Sequence, residues 1–314
     1  MNRGALVRRE GLPFGSEVRG VDLFLLALAM GVMKGAVYVI IALSMVIIYK
    51  SSHVFNFAVG ELCTLGGIFF LVASSTGLPL VMVFALFLFL CLLGGAAIEK
   101  IVIQPLMGRD PLATTLSTIG LSIFLVGLYQ VVLGTHPLPV GVRLPDLTVE
   151  VGDFLLVSES VWSALFALAS LGVLLLFYRF TRWGIVMRAT AEGQVKAIAF
   201  GIDTRFVLTL TWAIAACVAA LGGLMVAWTG SLQYNMGYVG LVAIPVVLVG
   251  GLDSLGGCIV GGILVGIVES LTIFHLEPAL GIEGFRAVSP YLFLLIVLML
   301  RPTGLFGQVH IERV

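Results

Sequence analysis

The chain has 314 residues, of which 60% are hydrophobic and 11% are charged, and its mean hydropathy is +1.15. Water-soluble domains carry a charge on about a quarter of their residues, so this composition excludes a soluble protein and predicts a membrane protein. The 17 basic and 17 acidic residues balance, which leaves no basic excess for binding nucleic acid.

The first half of the chain contains four apolar segments. A hydrocarbon core about 30 Å thick needs about 20 residues of apolar helix per crossing. Residues 1–20 form a polar tail without the apolar segment of a signal peptide, so we expect the first helix to be retained. The predicted spans cover about 21–48, 54–73, 78–98 and 112–133, with a polar turn that begins at Glu99 between the last two.

Two long polar segments differ in charge. Residues 134–159 carry one basic and four acidic side chains, whereas residues 179–205 carry five basic and two acidic ones. A fifth span at about 161–177 separates the two segments, so they lie on opposite faces of the membrane. Because cytoplasmic loops are enriched in Lys and Arg, we predict that 179–205 is cytoplasmic and that 134–159 is external.

The last part of the chain leaves the number of crossings open. A sixth span covers about 206–228, and the last two cover about 257–274 and 287–300. The short segment between Val239 and Gly250 contains Pro245, so it is either a tilted, broken crossing or a re-entrant half-helix. The expected fold is therefore an all-α, polytopic membrane helix bundle with about nine crossings, or eight if that segment is re-entrant. Nine crossings put the N-terminus outside and the C-terminus in the cytoplasm. The expected domain organisation is a polar N-terminal tail (1–20), a transmembrane domain (21–307) and a C-terminal tail (308–314).

Three charged residues lie within the predicted spans, where an ionised group marks a protein-lined or wet face. Glu269 either packs in a tight helix interface or lines a pathway. Glu61, which follows Asn56 by five residues, is either partly solvated near a helix start or part of a pathway. Lys34 either snorkels outward or acts within the membrane, and the predicted depths of Lys34 and Glu61 differ too much for them to pair.

Small residues and cysteines in the spans indicate helix packing. Gly257 and Gly261, and likewise Gly262 and Gly266, form small-xxx-small pairs that let two helices approach closely. The four cysteines lie in apolar segments without ligand spacing, and we interpret them as packing residues. The sequence contains no GxxxxGK[ST], HExxH or Gly-x-Ser-x-Gly motif, so it predicts neither an enzyme nor a cofactor.

Five ordered motifs resemble the branched-chain amino-acid ABC transporter permease family over about residues 21–307. They are VFNFAVGELCTLGG from Val54, QPLMGRDPLATTLSTIGLS from Gln104, MRATAEGQVKAIAFGID from Met187, VVLVGGLDSLGGCIVGGILVGIVES from Val246 and RPTGLFG from Arg301. In the first motif the family often has histidine where this chain has Val59, a departure that weakens a pathway role for that segment.

The resemblance implies one half of a transmembrane pair in an ATP-driven importer of the inner (plasma) membrane. The implied partners are a second permease subunit, two ABC ATPase subunits and an extracytoplasmic substrate-binding protein, with membrane lipid around the bundle. The implied substrate is a branched-chain or related hydrophobic amino acid, with urea or a short amide as the alternative. Asn56, Glu61 and Glu269 are then the candidates for pathway or gating residues.

The 179–205 segment resembles the cytoplasmic coupling loop of such importers. Glu192 and Gly201 are nine residues apart, like the acid and the glycine of the EAA-type loop, and the candidate contact residues are Arg188, Ala191, Glu192, Lys196 and Gly201. A predicted helix over 187–200 would turn Val195, Ala199 and Phe200 towards a groove on a partner. The remaining alternatives are a solvated loop that only sets topology, a secondary transporter that works alone with Lys34, Glu61 and Glu269 as ion-coupling groups, and a structural membrane subunit.

Overall fold

The structure is a computed structural model that describes residues 7–8, 20–107, 111–134, 136–138, 145–147, 149–151, 154–233 and 236–307. Most of the predicted tail 1–20, the C-terminal tail 308–314, and Arg109 and Asp110 of the polar turn lie outside these residues. Within them the chain folds as a bundle of helices. The α-helices are α1 (Gly20–Ser52), α2 (Val59–Ser74), α3 (Leu80–Ile98), α4 (Pro111–Leu133), α5 (Ser158–Phe180), α6 (Arg182–Glu192), α7 (Gln194–Ala199), α8 (Thr204–Thr229), α9 (Gly237–Gly250), α10 (Leu255–Leu271), α11 (Glu277–Leu280) and α12 (Ser289–Leu300).

Six of the described helical segments are long and apolar enough to cross a membrane, which confirms a polytopic helical membrane fold. They are Asp22–Ser52, Leu80–Leu106, Leu112–Val132, Ser158–Phe180, Thr204–Thr229 and Leu255–Leu280. Three shorter apolar helices accompany them, namely α2, α9 and α12.

Two predicted boundaries are wrong, and the break considered at Pro245 is absent. The second helix begins at Val59, so Asn56 precedes it instead of lying within it. The third does not end in a polar turn at Glu99, because helical hydrogen bonding continues as a π-helical turn (Glu99–Ile103) and a 3₁₀ turn (Gln104–Leu106). The helix α9 is continuous through Pro245, although proline removes one helical hydrogen bond there.

A small antiparallel sheet joins the N-terminal tail to the long polar segment after α4. Its strands are β1 (Val7–Arg8), β2 (Val149–Val151) and β3 (Phe154–Leu156), in the order β1-β3-β2. A backbone bridge between Leu138 and Leu232 ties the same segment to the connection between α8 and α9. The tail, this segment and the start of α9 therefore meet at one end of the bundle.

The core of the bundle is built around α1 and α8. These two are the most buried of the six long segments, whereas α3, α4 and α5 are mostly exposed. Trp212 of α8 is fully buried, but apolar side chains such as Val81 and Val131 are open. An apolar exposed face is what a helix presents to hydrocarbon or to another membrane subunit.

Candidate functional site

The charged segment between α5 and α8 folds as α6 and α7, which pack against the end of the bundle. Thr181 begins α6 by accepting a hydrogen bond from the Gly184 amide through its side-chain hydroxyl. Met187, Thr190 and Ala197 are buried against the bundle. The two short helices are thus attached along one side, and a force applied to them would reach α5 and α8, the helices at either end.

The opposite side of α7 is apolar and exposed. We call Val195, Ile198 and Phe200 the α7 surface; they are 82%, 58% and 86% exposed. Lys196 is also exposed and lies between them in sequence. Large apolar side chains this open on a polar segment are unfavourable in water and are typical of a surface that a partner covers.

The predicted continuous helix over 187–200 is wrong. Extended backbone at Gly193 ends α6, and the Gly193 carbonyl accepts the first hydrogen bond of α7, from the Ala197 amide. Val195 and Phe200 nevertheless face away from the bundle, because Ala197 occupies the buried side of α7.

The predicted contact residues are distributed over both helices. Arg188 lies on α6, donates a hydrogen bond to the Arg179 carbonyl and stacks over the ring of Tyr178. Ala191 is half-buried and Glu192 is exposed at the end of α6.

Beyond α7 the chain turns towards α8. Gly201, with a φ of 79°, makes the turn after α7 in a conformation that favours glycine. Asp203 then begins α8 by accepting hydrogen bonds from the amides of Arg205 and Phe206.

A residue that the sequence reasoning missed connects this segment to α1. The Gln194 side-chain amide donates a 3.0 Å hydrogen bond to the carbonyl of Ser51, in the last turn of α1. The EAA-type pattern has alanine at this position. The glutamine in its place was the only indication in the sequence that this residue has a separate role. Through it α7 is linked to the most buried helix of the bundle.

Within the apolar part of the bundle, Lys34 and Glu269 form an ion pair. The Lys34 ammonium lies 2.6 Å from Oε1 of Glu269, and the Tyr38 hydroxyl donates a 2.7 Å hydrogen bond to Oε2. Of the two alternatives for Lys34, the pairing with a carboxylate on α10 favours a group held within the bundle over a side chain that only snorkels outward. The pair links residues 235 positions apart in sequence.

Glycines bring α1 and α10 close enough to make this pair. A Cβ built on Gly31 would lie 2.6 Å from the Ile267 Cα, and one on Gly262 would lie 2.5 Å from Val39 Cγ2. A Cβ on Gly266 would collide with the carbonyl oxygen of Gly31. The backbones of the two helices are therefore in contact beside the ion pair. A side chain added at one of these glycines would force the helices apart.

The other small-xxx-small pair on α10 faces a different helix. A Cβ on Gly261 would lie 2.6 Å from the Val246 carbonyl, and one on Gly257 would collide with the Gly250 carbonyl. Gly257 and Gly261 therefore approach α9, while Gly262 and Gly266 approach α1. One helix is thus packed by glycines on two sides.

Asn56 precedes α2, and Glu61 lies in its first turn. Asn56 is fully buried and accepts a hydrogen bond from the Ala58 amide, while the backbone carbonyl of Glu61 accepts one from the Tyr129 hydroxyl. Asn56 Nδ2 and Glu61 Oε2 are buried without a protein partner. None of the hydrogen bonds or ion pairs between described residues joins this segment to Glu269.

Glu99 is a further buried carboxyl, although the sequence analysis placed it in a polar turn. Its side chain is fully buried, Oε2 accepts a 2.7 Å hydrogen bond from the Thr209 hydroxyl, and Oε1 has no partner. The apolar residues Ile101, Val102 and Ile103, which follow Lys100, were the signal that the helix continues. Since π-helical turns concentrate at functional sites, the π-helical turn and the burial of its carboxyl set Glu99 apart from an ordinary helix end.

Replacing Thr209 by valine is expected to destabilise the protein by about 1–3 kcal/mol, because it leaves both oxygens of a buried carboxyl without a partner. Thr209→Ser keeps the hydroxyl and is the matched control. Thermal unfolding of the two variants in the same detergent measures the difference. Equal stability of Thr209→Val and the wild type would show that the hydrogen bond contributes nothing.

A bundle of apolar helices with charged groups held inside it, and with two short helices presented at one end, defines a polytopic membrane protein. Residues 27–301 match the family described as branched-chain amino acid transport system, permease component. The chain belongs to this family and is a multi-pass protein of the inner (plasma) membrane.

Curated relatives agree with this family over most of their length. The chain is 30% identical to the high-affinity branched-chain amino acid transport system permease protein LivH of Escherichia coli K12, over 93% of this chain and 98% of that protein. It is 26% identical to the BraD permease protein of Pseudomonas aeruginosa, with the same coverage. Among solved structures, PsaBC from Streptococcus pneumoniae in complex with Fab aligns with a TM-score of 0.42 and 15% identity, over 91% of this chain and 93% of that chain.

Proposed function

We propose that the chain is the permease subunit of an ATP-driven ABC importer for branched-chain or related hydrophobic amino acids. It forms half of the translocation pathway, next to a second permease subunit. Two ATPase subunits supply the energy, and an extracytoplasmic binding protein delivers the substrate. The observation that carries the proposal is the exposed α7 surface, attached through α6 and α7 to the bundle of a chain in this permease family.

The α7 surface is proposed to dock into a groove on an ATPase subunit. Val195, Ile198 and Phe200 offer an apolar anchor of the kind that fills a hydrophobic groove, with Arg188 and Lys196 at its rim. Glu192 and Gly201 bound this contact, and Ala191 packs beneath it. Because Gln194 links α7 to α1, a movement of the docked ATPase would be transmitted to the core as a rigid-body shift.

The proposed topology has nine crossings, with the N-terminus outside and the C-terminus in the cytoplasm. It is supported by the Leu305 amide, which donates a hydrogen bond to the Val249 carbonyl at the end of α9. The start of α9 lies near the bridge between Leu138 and Leu232, at the other end of the bundle. This arrangement favours α9 as a crossing over a re-entrant half-helix.

Reconstitution tests the function directly. The purified chain is combined with its neighbouring permease, ATPase and binding-protein subunits in proteoliposomes, and uptake of labelled leucine is measured with and without ATP. We expect the ATPases to copurify with the chain, and we expect uptake only when both ATP and the binding protein are present. Competition by valine, urea and short amides identifies the substrate class. Uptake driven by an ion gradient alone would instead establish a secondary transporter.

Crosslinking tests the docking surface. Single cysteines at positions 189–201, introduced in a background in which the four native cysteines are replaced, are expected to crosslink to an ATPase subunit most strongly near Glu192 and on the α7 surface. Equivalent cysteines in the connection between α10 and α12, such as at Ile282, serve as controls. The absence of any crosslink along 189–201 would overturn the docking role.

A further inference from the structure

The ion pair of Lys34 and Glu269 lies within two long apolar helical segments, because helical structure continues from α10 through a π-helical turn (Thr272–Leu276) into α11. At about 1.5 Å per residue, the nearest formally charged residues along α1, Asp22 and Lys50, are about 18 and 24 Å from Lys34. Along α10 the nearest, Asp253 and Glu277, are about 24 and 12 Å from Glu269. The pair is therefore inside the apolar length of the bundle.

The two charges differ in exposure. The Lys34 side chain is 39% exposed, whereas that of Glu269 is 9% exposed. An ammonium that faced hydrocarbon at this depth would be strongly unfavourable, so its open side belongs against water or protein. The cation is thus the part of the pair that is presented outward.

The hydrogen-bonding capacity left in the cluster consists of donors. Lys34 and Tyr38 already occupy one oxygen each of Glu269. The Lys34 ammonium carries three N–H groups, of which the described hydrogen bonds use one, and it also lies 5.7 Å from the centre of the Tyr38 ring. Two donors with a positive charge remain for a ligand, and that combination suits an anion such as a carboxylate.

The surroundings hold the ammonium in a fixed place. The glycines let α1 and α10 pack with their backbones in contact, and the Tyr38 hydroxyl holds the carboxylate through a hydrogen bond. A rigid, half-exposed cation that is already neutralised by its partner would hold an anion weakly, as a transport pathway requires.

We propose that Lys34 lines the translocation pathway and contacts the carboxylate of the amino acid as it passes, with Glu269 and Tyr38 as positioning residues. This inference rests on the proposed function, because it takes an amino acid as the substrate. It adds to that function the residue that the transported molecule meets inside the membrane.

Cysteine labelling tests whether the open side of Lys34 faces water. Lys34→Cys in the assembled importer is treated with a permanently charged methanethiosulfonate reagent, and Val32→Cys is the matched control. Val32 is 45% exposed, but it is two residues from Lys34 and therefore about 200° away around α1, at about 100° per residue. It lies on a different face of the helix. We expect Lys34→Cys to react at least tenfold faster, with little background because the four native cysteines are buried. An unreactive Lys34→Cys would mean that the second permease subunit covers this face, and would overturn the proposal.

Charge variants then distinguish contact with the substrate from structural pairing. We expect Lys34→Gln to retain less than a tenth of ATP-driven leucine uptake and Lys34→Arg to retain at least half, each at an equal yield of assembled importer. The exchange of both charges, Lys34→Glu with Glu269→Lys, preserves an ion pair but buries the cation on α10, so we expect it to remain inactive. Uptake restored to near the wild-type rate by this exchange would show that the pair is only structural.

The wild-type importer separates this inference from the proposed function. Failure of the wild type to take up leucine with ATP contradicts the function, and the labelling of Lys34→Cys still decides whether this face is aqueous. A wild type that transports, together with full activity of Lys34→Gln, contradicts the inference alone.

Discussion

Gly266→Leu is expected to prevent α1 and α10 from packing, and to reduce the yield of folded protein to a small fraction of the wild-type yield. A Cβ at this position would collide with the Gly31 carbonyl and lie 2.5 Å from Gly35 Cα. Backbone atoms cannot move aside as a flexible side chain can, so the destabilisation should exceed about 3 kcal/mol, the upper part of the usual range for overpacking. Membrane extraction followed by size-exclusion chromatography in detergent measures the loss.

Gly127→Leu on α4 is the control for this change. Gly127 also lies within a long apolar helix, but a Cβ built there meets nothing within 4 Å. Its leucine variant should therefore fold at close to the wild-type yield, and Gly266→Ala should fall between the two leucine variants. Similar yields of Gly266→Leu and Gly127→Leu would show that the contact between α1 and α10 tolerates a side chain.

The positions of the long helices could be predicted because one physical requirement determines them. A backbone in hydrocarbon must satisfy its own hydrogen bonds, so an apolar run of about 20 residues becomes a helix whatever its neighbours are. The boundaries were less certain because a charged residue does not end a helix when protein covers it. Glu99 is such a case, since Thr209 of α8 supplies a hydrogen-bond donor that no local sequence pattern reveals.

The pairing of Lys34 with Glu269 depends on which helices are neighbours. Each residue stands on a glycine-containing stripe of its own helix, and the two stripes are signals that the sequence carries. No local rule says which stripe packs against which, because α10 has a second glycine pair that faces α9. The two charges were therefore visible in the sequence only as isolated groups, and the three-dimensional arrangement supplied the partner of each.

The 179–205 segment was predictable in position but not in detail. Its charge marked it as a polar connection, and apolar residues within a polar connection indicated a contact surface. The break at Gly193 and the hydrogen bond from Gln194 to α1 arise from the way the segment packs against the bundle. These features make α7 a small separate helix with its own attachment to the core.

The α7 surface gives the second large expected effect. Val195→Glu and Phe200→Glu, each alone, should reduce recovery of the ATPase subunits with the chain at least tenfold. A charge buried in an apolar groove removes an anchor that typically contributes 2 kcal/mol or more to a protein interface, and about 1.4 kcal/mol corresponds to a tenfold change in affinity. Both side chains are exposed in the chain itself, so the folded bundle should be unaffected.

Affinity purification through the chain, followed by quantification of the copurified ATPase, measures this effect, and ATP-driven leucine uptake should fall with it. Leu280→Glu is the matched control. Leu280 is the last residue of α11 and is 54% exposed, and the proposed topology places it at the end of the bundle opposite the α7 surface. If Leu280→Glu loses the ATPase as completely as Phe200→Glu, the loss reflects a general effect of surface charge. If neither α7 variant loses it, energy enters the bundle through another surface, and the link from α7 through Gln194 to α1 is not the coupling route.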